Sequence, residues 1–361
     1  MMRKLIFALA SLCFAGAALA QERVVNVYNW SDYIDPKVLS DFTKETGIRV
    51  VYDTYDSNES LETKLLAGKT GYDVVVPSAP FLQRQIQAGV FQKLDKSKLP
   101  NAKGLSPEVM ARLAVYDPGN QYSVNYMWYA TGVAYNVQKA QQVFQGRLID
   151  SWDVIFRPEN LKRFSECGVY LLDSPDDVLS SALRFLGLNP DSKKADDIRR
   201  AADAVAKVKS SVKKFHSSEY INALANGDIC LALGWAGDAF QARNRAREAN
   251  NGVEIDFIIP KEGALISMDM LAIPRDAPHV AEAHAFIDYM LRPEVAARNT
   301  NVTNYANSIP ASKPFIDKAV LDNKAIYPTD EVMKRLYTVS SNDMPTQKII
   351  TREWTRVKTG K

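Results

Sequence analysis

Four stretches of the chain place a carboxylate close to an aromatic ring or a hydroxyl. They are Trp30-Ser31-Asp32-Tyr33, Ser174-Pro175-Asp176-Asp177, Trp235-Ala236-Gly237-Asp238 and the run around Asp269, which is otherwise apolar. Ser78 and Tyr305 add polar groups in comparable settings. Ionised carboxylates supply charged acceptors and aromatic faces supply negative π surface, a pairing suited to an organic ammonium. Several carboxylates in one place suit a ligand with more than one cation, because crowded like charges otherwise raise each other's pKa. Two other chemistries use such groups. Calcium needs many oxygen ligands, for which these aromatics are poor company. Glycoside hydrolysis uses two carboxylates and often aromatic platforms, and the residues alone leave it open. Taken singly, each residue also has an ordinary structural role. Trp235 fits a core position, Asp32 a turn, Ser78 and Asp238 helix caps, and Tyr33 and Tyr305 packing.

The elements that must position these residues follow a strand–helix rhythm. Residues 24–28 alternate as a strand, Asp35-Pro36 opens a helix as cap and first-turn proline, and Gly47 closes it. A strand over 48–52, a helix near 61–66, the apolar strand 74–76 and a helix from about Phe81 complete an open α/β sheet. Such sheets bind ligands beyond the carboxyl ends of their strands, where Trp30-Tyr33 and Ser78 fall. Residues 127–135 read as an apolar strand crossing between two lobes. A strand over 169–172 ends at Asp173-Asp177, a lysine-rich helical surface covers 192–214, and 221–225 is helical. Residues 229–233 form a buried strand, and the spacing of Gly234 and Gly237 predicts a tight glycine turn carrying Trp235 and Asp238. Further strands at 255–260 and within 263–274, the latter bearing Asp269, precede an amphipathic helix over 281–291.

The 361-residue length fits two domains, and 46% hydrophobic against 24% charged residues excludes a disordered chain. Residues 1–20 read as a secretory signal peptide: a basic start at Arg3 and Lys4, a short apolar run, and Ala18-Leu19-Ala20 as the cleavage site. Without Arg3 and Lys4 the balance is 43 basic to 42 acidic side chains, with no basic tract, so nucleic acid is excluded as a partner. The 3 histidines include His279 and His284, five apart and therefore not on one helical face; no metal-ligand spacing occurs, and no Ser-His-Asp or Cys-His arrangement has supporting context. Cys167 and Cys230 remain after the leader, an even pair in an exported chain, read as one disulfide with two buried thiols as the alternative.

Several stretches carry a family resemblance: Tyr28-Asn29-Trp30-Ser31-Asp32-Tyr33-Ile34, Asp73-Val74-Val75-Val76-Pro77-Ser78, Phe215-His216-Ser217-Ser218, Ala225-Asn226-Gly227-Asp228-Ile229-Cys230 and Gly234-Trp235-Ala236-Gly237-Asp238. Through them nearly the whole mature chain resembles the periplasmic polyamine-binding proteins of bacterial ABC transporters, most nearly the putrescine-binding branch. The resemblance implies a type II two-lobed periplasmic-binding-protein fold. Each lobe is a mixed sheet flanked by helices, joined by crossover strands and closing by a hinge. The expected lobes are residues 21–127 plus 247–292, and residues 128–246 plus 293–361. Carried over by motif, Trp30, Tyr33, Trp235 and Tyr305 wall the cleft. Ser31, Asp32, Ser78, Asp177, Asp238 and Asp269 are its polar and acidic ligands, with Asp176 adjacent to Asp177. The family has an aromatic where this chain has Ser267, and a Glu where it has Asp177, so a wider pocket is implied. Cys167 and Cys230 match a family disulfide. The implied function is capture of a polyamine in the periplasm and delivery to an inner-membrane ABC permease. Putrescine comes first among the ligands, with spermidine, agmatine and cadaverine open. The protein is expected to act as a monomer, with no cofactor, metal or catalysed reaction. The alternatives are an exported carbohydrate-active hydrolase using paired carboxylates, and a polyamine sensor for a membrane kinase.

Overall fold

The computed structural model describes residues 22–145 and 149–360; the signal peptide expected at 1–20 lies outside the described residues. Among the described residues nine strands form one continuous mixed sheet: β1 (Val24–Trp30), β2 (Arg49–Tyr55), β3 (Val74–Val75), β4 (Ser123–Asn136), β5 (Val169–Leu171), β6 (Lys214–Phe215), β7 (Leu231–Trp235), β8 (Ile255–Ile258) and β9 (Ile266–Ala272). Their order is β2-β1-β3-β9-β4-β7-β5-β6, with β8 pairing to β4 off this path. The pairing divides at β4. Its first half, Ser123–Ala130, runs antiparallel to β9, and its second half, Thr131–Asn136, runs antiparallel to β7 and β8. On one side β1 is parallel to β2 and β3; on the other, β5 is parallel to β6 and β7. The 14-residue β4 is buried over its first 12 positions, consistent with its apolar, aromatic run having neighbours on both faces.

Local sequence explains the elements that frame the sheet. Asp35 caps the helix Pro36–Thr46 by accepting from the Lys37 amide, and Gly47 ends it in the left-handed conformation (φ 68°), which a side chain disfavours. Ser57 caps Asn58–Ala67, three residues earlier than the hydrophobic spacing implies. The helix Ala79–Gln87 starts at Ser78, yet Ser78 makes no side-chain cap bond; its hydroxyl is engaged elsewhere. The acidic and basic face of Ala195–Val208 covers a buried stripe of Ile198, Ala201, Ala202, Val205 and Val208.

One expectation is corrected here. No glycine turn follows β7. The strand passes directly into the helix Ala236–Glu248, with Gly234 in the strand and Gly237 in the first helical turn. The glycines serve close approach instead. A methyl group on Gly234 would sit 2.6 Å from the Tyr220 ring, and one on Gly237 would sit 2.1 Å from the Tyr305 ring.

Cys167 and Cys230 are disulfide-bonded with Cα atoms 5.6 Å apart, tying the starts of β5 and β7 across 63 residues of sequence. Closing a loop of that length restricts the unfolded chain by on the order of 4 kcal/mol. The Cys167→Ser/Cys230→Ser variant is therefore expected to lose a few kcal/mol in urea denaturation. An unchanged midpoint would show that the bond contributes nothing to stability.

Candidate functional site

The parallel strands point their carboxyl ends at one region. Trp30 ends β1, Asp56 follows β2, Ser78 follows β3, Asp177 lies just beyond β5, Ser217 follows β6 and Trp235 ends β7. The antiparallel strands add Tyr129 from β4 and Ser267 and Asp269 from β9. These residues line two contiguous cavities. One is lined by Trp30, Ser78, Tyr129, Asp176, Asp177, Trp235 and Ser267 among others, and the second by Trp30, Ser31, Tyr33, Trp235, Asp238, Asp269 and Tyr305. Tyr129, Asp56 and Ser217 border both.

Five rings form a continuous wall by edge contacts. Trp30 meets Trp235 at 5.7 Å, Trp235 meets Tyr129 at 5.7 Å, Tyr129 meets Tyr305 at 5.0 Å and Tyr305 meets Tyr33 at 4.6 Å. Each ring is fixed by its neighbours and several by a polar anchor. The Trp30 indole donates to the Val76 carbonyl at 2.9 Å, and the Tyr305 hydroxyl donates to Asp238 at 2.6 Å. The Tyr33 hydroxyl is buried beside Asp269 and favours its ionised form, without reaching close hydrogen-bond geometry.

Three carboxylates are buried in this wall: Asp177, Asp238 and Asp269, at 6%, 4% and 2% exposure. All of their hydrogen-bond donors are neutral. Asp269 accepts from the Ser78 hydroxyl at 2.6 Å, which explains why Ser78 does not cap its helix. Asp238 accepts from Tyr220 at 2.8 Å as well as from Tyr305. Asp177 accepts from Ser174 at 2.6 Å, from the Trp235 indole at 3.2 Å and from Thr131. None forms an ion pair with a described residue. Burial pushes Asp269 and Asp238 each up to about 7, against hydrogen bonds from Ser78 and from Tyr305 and Tyr220 that favour the ionised form. Asp177 is raised for the same first reason, burial, opposed by its three donors.

Of the eleven residues singled out from the sequence, ten border these cavities. Asp32 does not. Its backbone takes the left-handed conformation (φ 55°), its side chain is exposed, and it pairs with Arg245 at 2.5 Å. Arg245 sits two turns beyond Asp238 on the same helix, so Asp32 finds its cation within the chain. Of the adjacent pair, Asp177 is the buried, hydrogen-bonded carboxylate, while Asp176 is half-buried at the cavity wall. Tyr129, Asp56, Glu59 and Ser217 were not singled out. Tyr55-Asp56 carries the same ring-beside-carboxylate signature at a strand end as the four stretches that were.

A mixed sheet whose two halves aim their strand ends at a buried, aromatic-walled, acidic hollow defines a solute-binding protein. Residues 37–329 match the family of the bacterial extracellular solute-binding protein, and the chain belongs to it. It is 50% identical to the putrescine-binding periplasmic protein PotF of Escherichia coli (96% of this chain, 94% of that one) and 48% identical to the putrescine-binding periplasmic protein SpuD of Pseudomonas aeruginosa over the full length of both. Among solved structures it resembles the spermidine/putrescine ABC transporter substrate-binding protein PotD of Streptococcus pneumoniae with a TM-score of 0.75 at 27% identity, covering 93% of this chain and 98% of that one.

The raised carboxyl groups make a stability prediction. In the unfolded chain Asp238 and Asp269 ionise near 3.8, and in the empty folded protein near 7. Between those values the folded state holds more protons, so their contribution is full below about pH 4 and is lost as pH rises through about 7. The ligand-free protein is expected to lose urea resistance from pH 5 to pH 8 relative to an Asp238→Asn/Asp269→Asn variant. Parallel pH profiles for the two proteins would contradict the assignment.

Proposed function

We propose that this protein captures a polyamine, putrescine first, in the periplasm and delivers it to an inner-membrane ABC permease. It is a binding protein and not an enzyme, as its relatives are. The observation that carries the reading is the set of three buried carboxylates with neutral donors only, inside a wall of five aromatic rings. A charge removed from water needs an opposite charge, and the described residues form no ion pair here. A slender dication supplies two, and its methylene chain fits between ring faces.

In the proposed arrangement Asp238 and Asp269 hold one ammonium, with the Tyr33 hydroxyl beside Asp269 as a further partner. Asp177 marks the opposite end. Ser267 stands across from Tyr129 on the neighbouring strand, and its small side chain leaves width where a ring would narrow the cavity. Trp30, Ser31, Ser78, Trp235 and Tyr305 complete the site.

We further propose two lobes that move about β4, residues 21–127 plus 247–292 and residues 128–246 plus 293–361, except that β8, paired with Val133–Asn136, goes with the second. The Asp32–Arg245 pair then links the two when shut, and the protein works as a monomer. In support of the lobes, β4 is, among the described strands, the one that both halves of the sheet share.

Titration calorimetry with putrescine tests the reading. Asp269→Asn keeps the shape and the Ser78 contact but removes the charge. The expected loss of affinity is roughly 10- to 100-fold, the scale of a charge-assisted hydrogen bond of about 1.5–3 kcal/mol. An affinity equal to that of the unaltered protein would count against the site, and silence toward putrescine, spermidine, agmatine and cadaverine alike would end the polyamine reading.

A further inference from the structure

Residues 337–341 form a strap that is bonded along both of its edges. It starts beside the point where the pairing of β4 divides. There the Tyr337 amide donates to the Ala264 carbonyl at 3.0 Å, and the Tyr337 carbonyl accepts from the Ile266 amide at 2.9 Å. Further along, a small ionic knot holds one edge. Asp191 accepts from the Ser340 amide at 3.0 Å and from the Ser340 hydroxyl at 2.7 Å. Lys193 pairs with Asp191 at 2.8 Å and donates to the Ser340 carbonyl at 3.0 Å. Just beyond, Asp343 caps the helix Met344–Thr359 by accepting from the Thr346 amide, and that helix packs on Ala195–Val208. The strap thus travels with the half of the molecule that contains Asp191 and Lys193.

The other edge meets the opposite half. The Tyr116 hydroxyl, on the segment after the helix Pro107–Leu113, donates to the Val339 carbonyl at 2.7 Å in a buried setting. Gln83, half-buried on the helix Ala79–Gln87, uses both ends of its amide. Its Nε2 donates to the Val115 carbonyl at 2.9 Å, and its Oε1 accepts from the Ser341 amide at 3.4 Å. One side chain therefore ties the Tyr116 segment to the strap. In the two-lobe arrangement Tyr116 and Gln83 ride on the first lobe, and the strap and its ionic knot ride on the second.

We propose that residues 337–341 are a fastener between the lobes, and that Tyr116 is the positioning residue that sets how long the bound polyamine is held. The proposal rests on the two-lobed polyamine reading and adds a control over release. A ligand of a closing protein is held by its own contacts and by the free energy of closure, so a bond formed only on closure strengthens every ligand by the same factor. Opening must break the Tyr116 and Gln83 bonds before the ligand can leave, which places their effect on dissociation. Losing the Tyr116 hydroxyl also strips the buried Val339 carbonyl of that donor. The Asp191–Lys193 knot lies within one lobe and moves with the strap. Tyr116 and Val339 also border the first inner cavity, so a direct contact with the ligand is the rival explanation that the test must separate.

Stopped-flow tryptophan fluorescence with putrescine and with cadaverine, one methylene longer, makes that separation. In Tyr116→Phe the dissociation rate is expected to rise about 3- to 10-fold, the scale of one buried hydrogen bond, by the same factor for both diamines, with association within about 2-fold. Gln83→Leu, at a side chain outside the inner cavities, is expected to act in the same direction by about 2- to 5-fold. A merely destabilised fold lowers the amplitude of the signal and leaves the rate alone. Unchanged dissociation in both variants, a fall in amplitude only, or factors that differ between the two diamines overturns the fastener while the polyamine reading stands. Failure of both diamines to bind the unaltered protein overturns the two together.

Discussion

Three carboxylates out of water, with no ion pair to any described residue, are the constraint on which this structure turns. A fold avoids such an arrangement unless something else completes it, because isolated charge in a low-dielectric interior is unfavourable. Asp177, Asp238 and Asp269 are held by hydroxyls and an indole, groups that orient a carboxylate without neutralising it. Asp32 shows the alternative within the same chain: given Arg245, it stays at the surface as an ordinary ion pair. Burial therefore holds the Asp238 and Asp269 carboxyls well above the usual carboxylate range, and on the proposed reading a dication that binds there displaces protons.

The scaffold meets this constraint by geometry. Six parallel strands in two sets end at the same place, so their loops gather side chains far apart in sequence without any long insertion. The two halves are not separate sheets but share β4, whose alternation puts Tyr129 toward the site and Trp128 against Ala306 and Tyr327 behind it. Beside Asp238, glycine allows close approach at two points: Gly234 admits the Tyr220 ring that holds Asp238, and Gly237 admits the Tyr305 ring that holds it from the other side. The aromatic wall and the acidic floor are thus one mechanical unit, since moving a ring moves a carboxylate's donor.

Much of this was legible in the residues. Asp35-Pro36 and Gly47 act through local backbone rules, and both ends of that helix fall where those rules put them. Strand ends bearing Trp30, Ser78, Asp177 and Trp235 follow from alternation and from where such sheets bind ligands. What failed depended on long-range contact. Gly234 and Gly237 look like a turn in sequence, and only the rings of Tyr220 and Tyr305 reveal them as clearance. Asp32 looks like its neighbours Trp30 and Tyr33, and only a positive φ and a distant Arg245 turn it away. Ser217 carries no ring or charge to draw notice, and only its place at the cavity wall sets it apart.

The most direct test of the central claim reads the carboxyl groups themselves. At pH 6 the infrared difference spectrum on adding putrescine is predicted to lose the protonated-carboxyl stretching band, and to lose none in Asp238→Asn/Asp269→Asn. A spectrum in which putrescine binds while that band is unchanged in the unaltered protein would contradict the account, because the buried acids would then not be what the ligand neutralises.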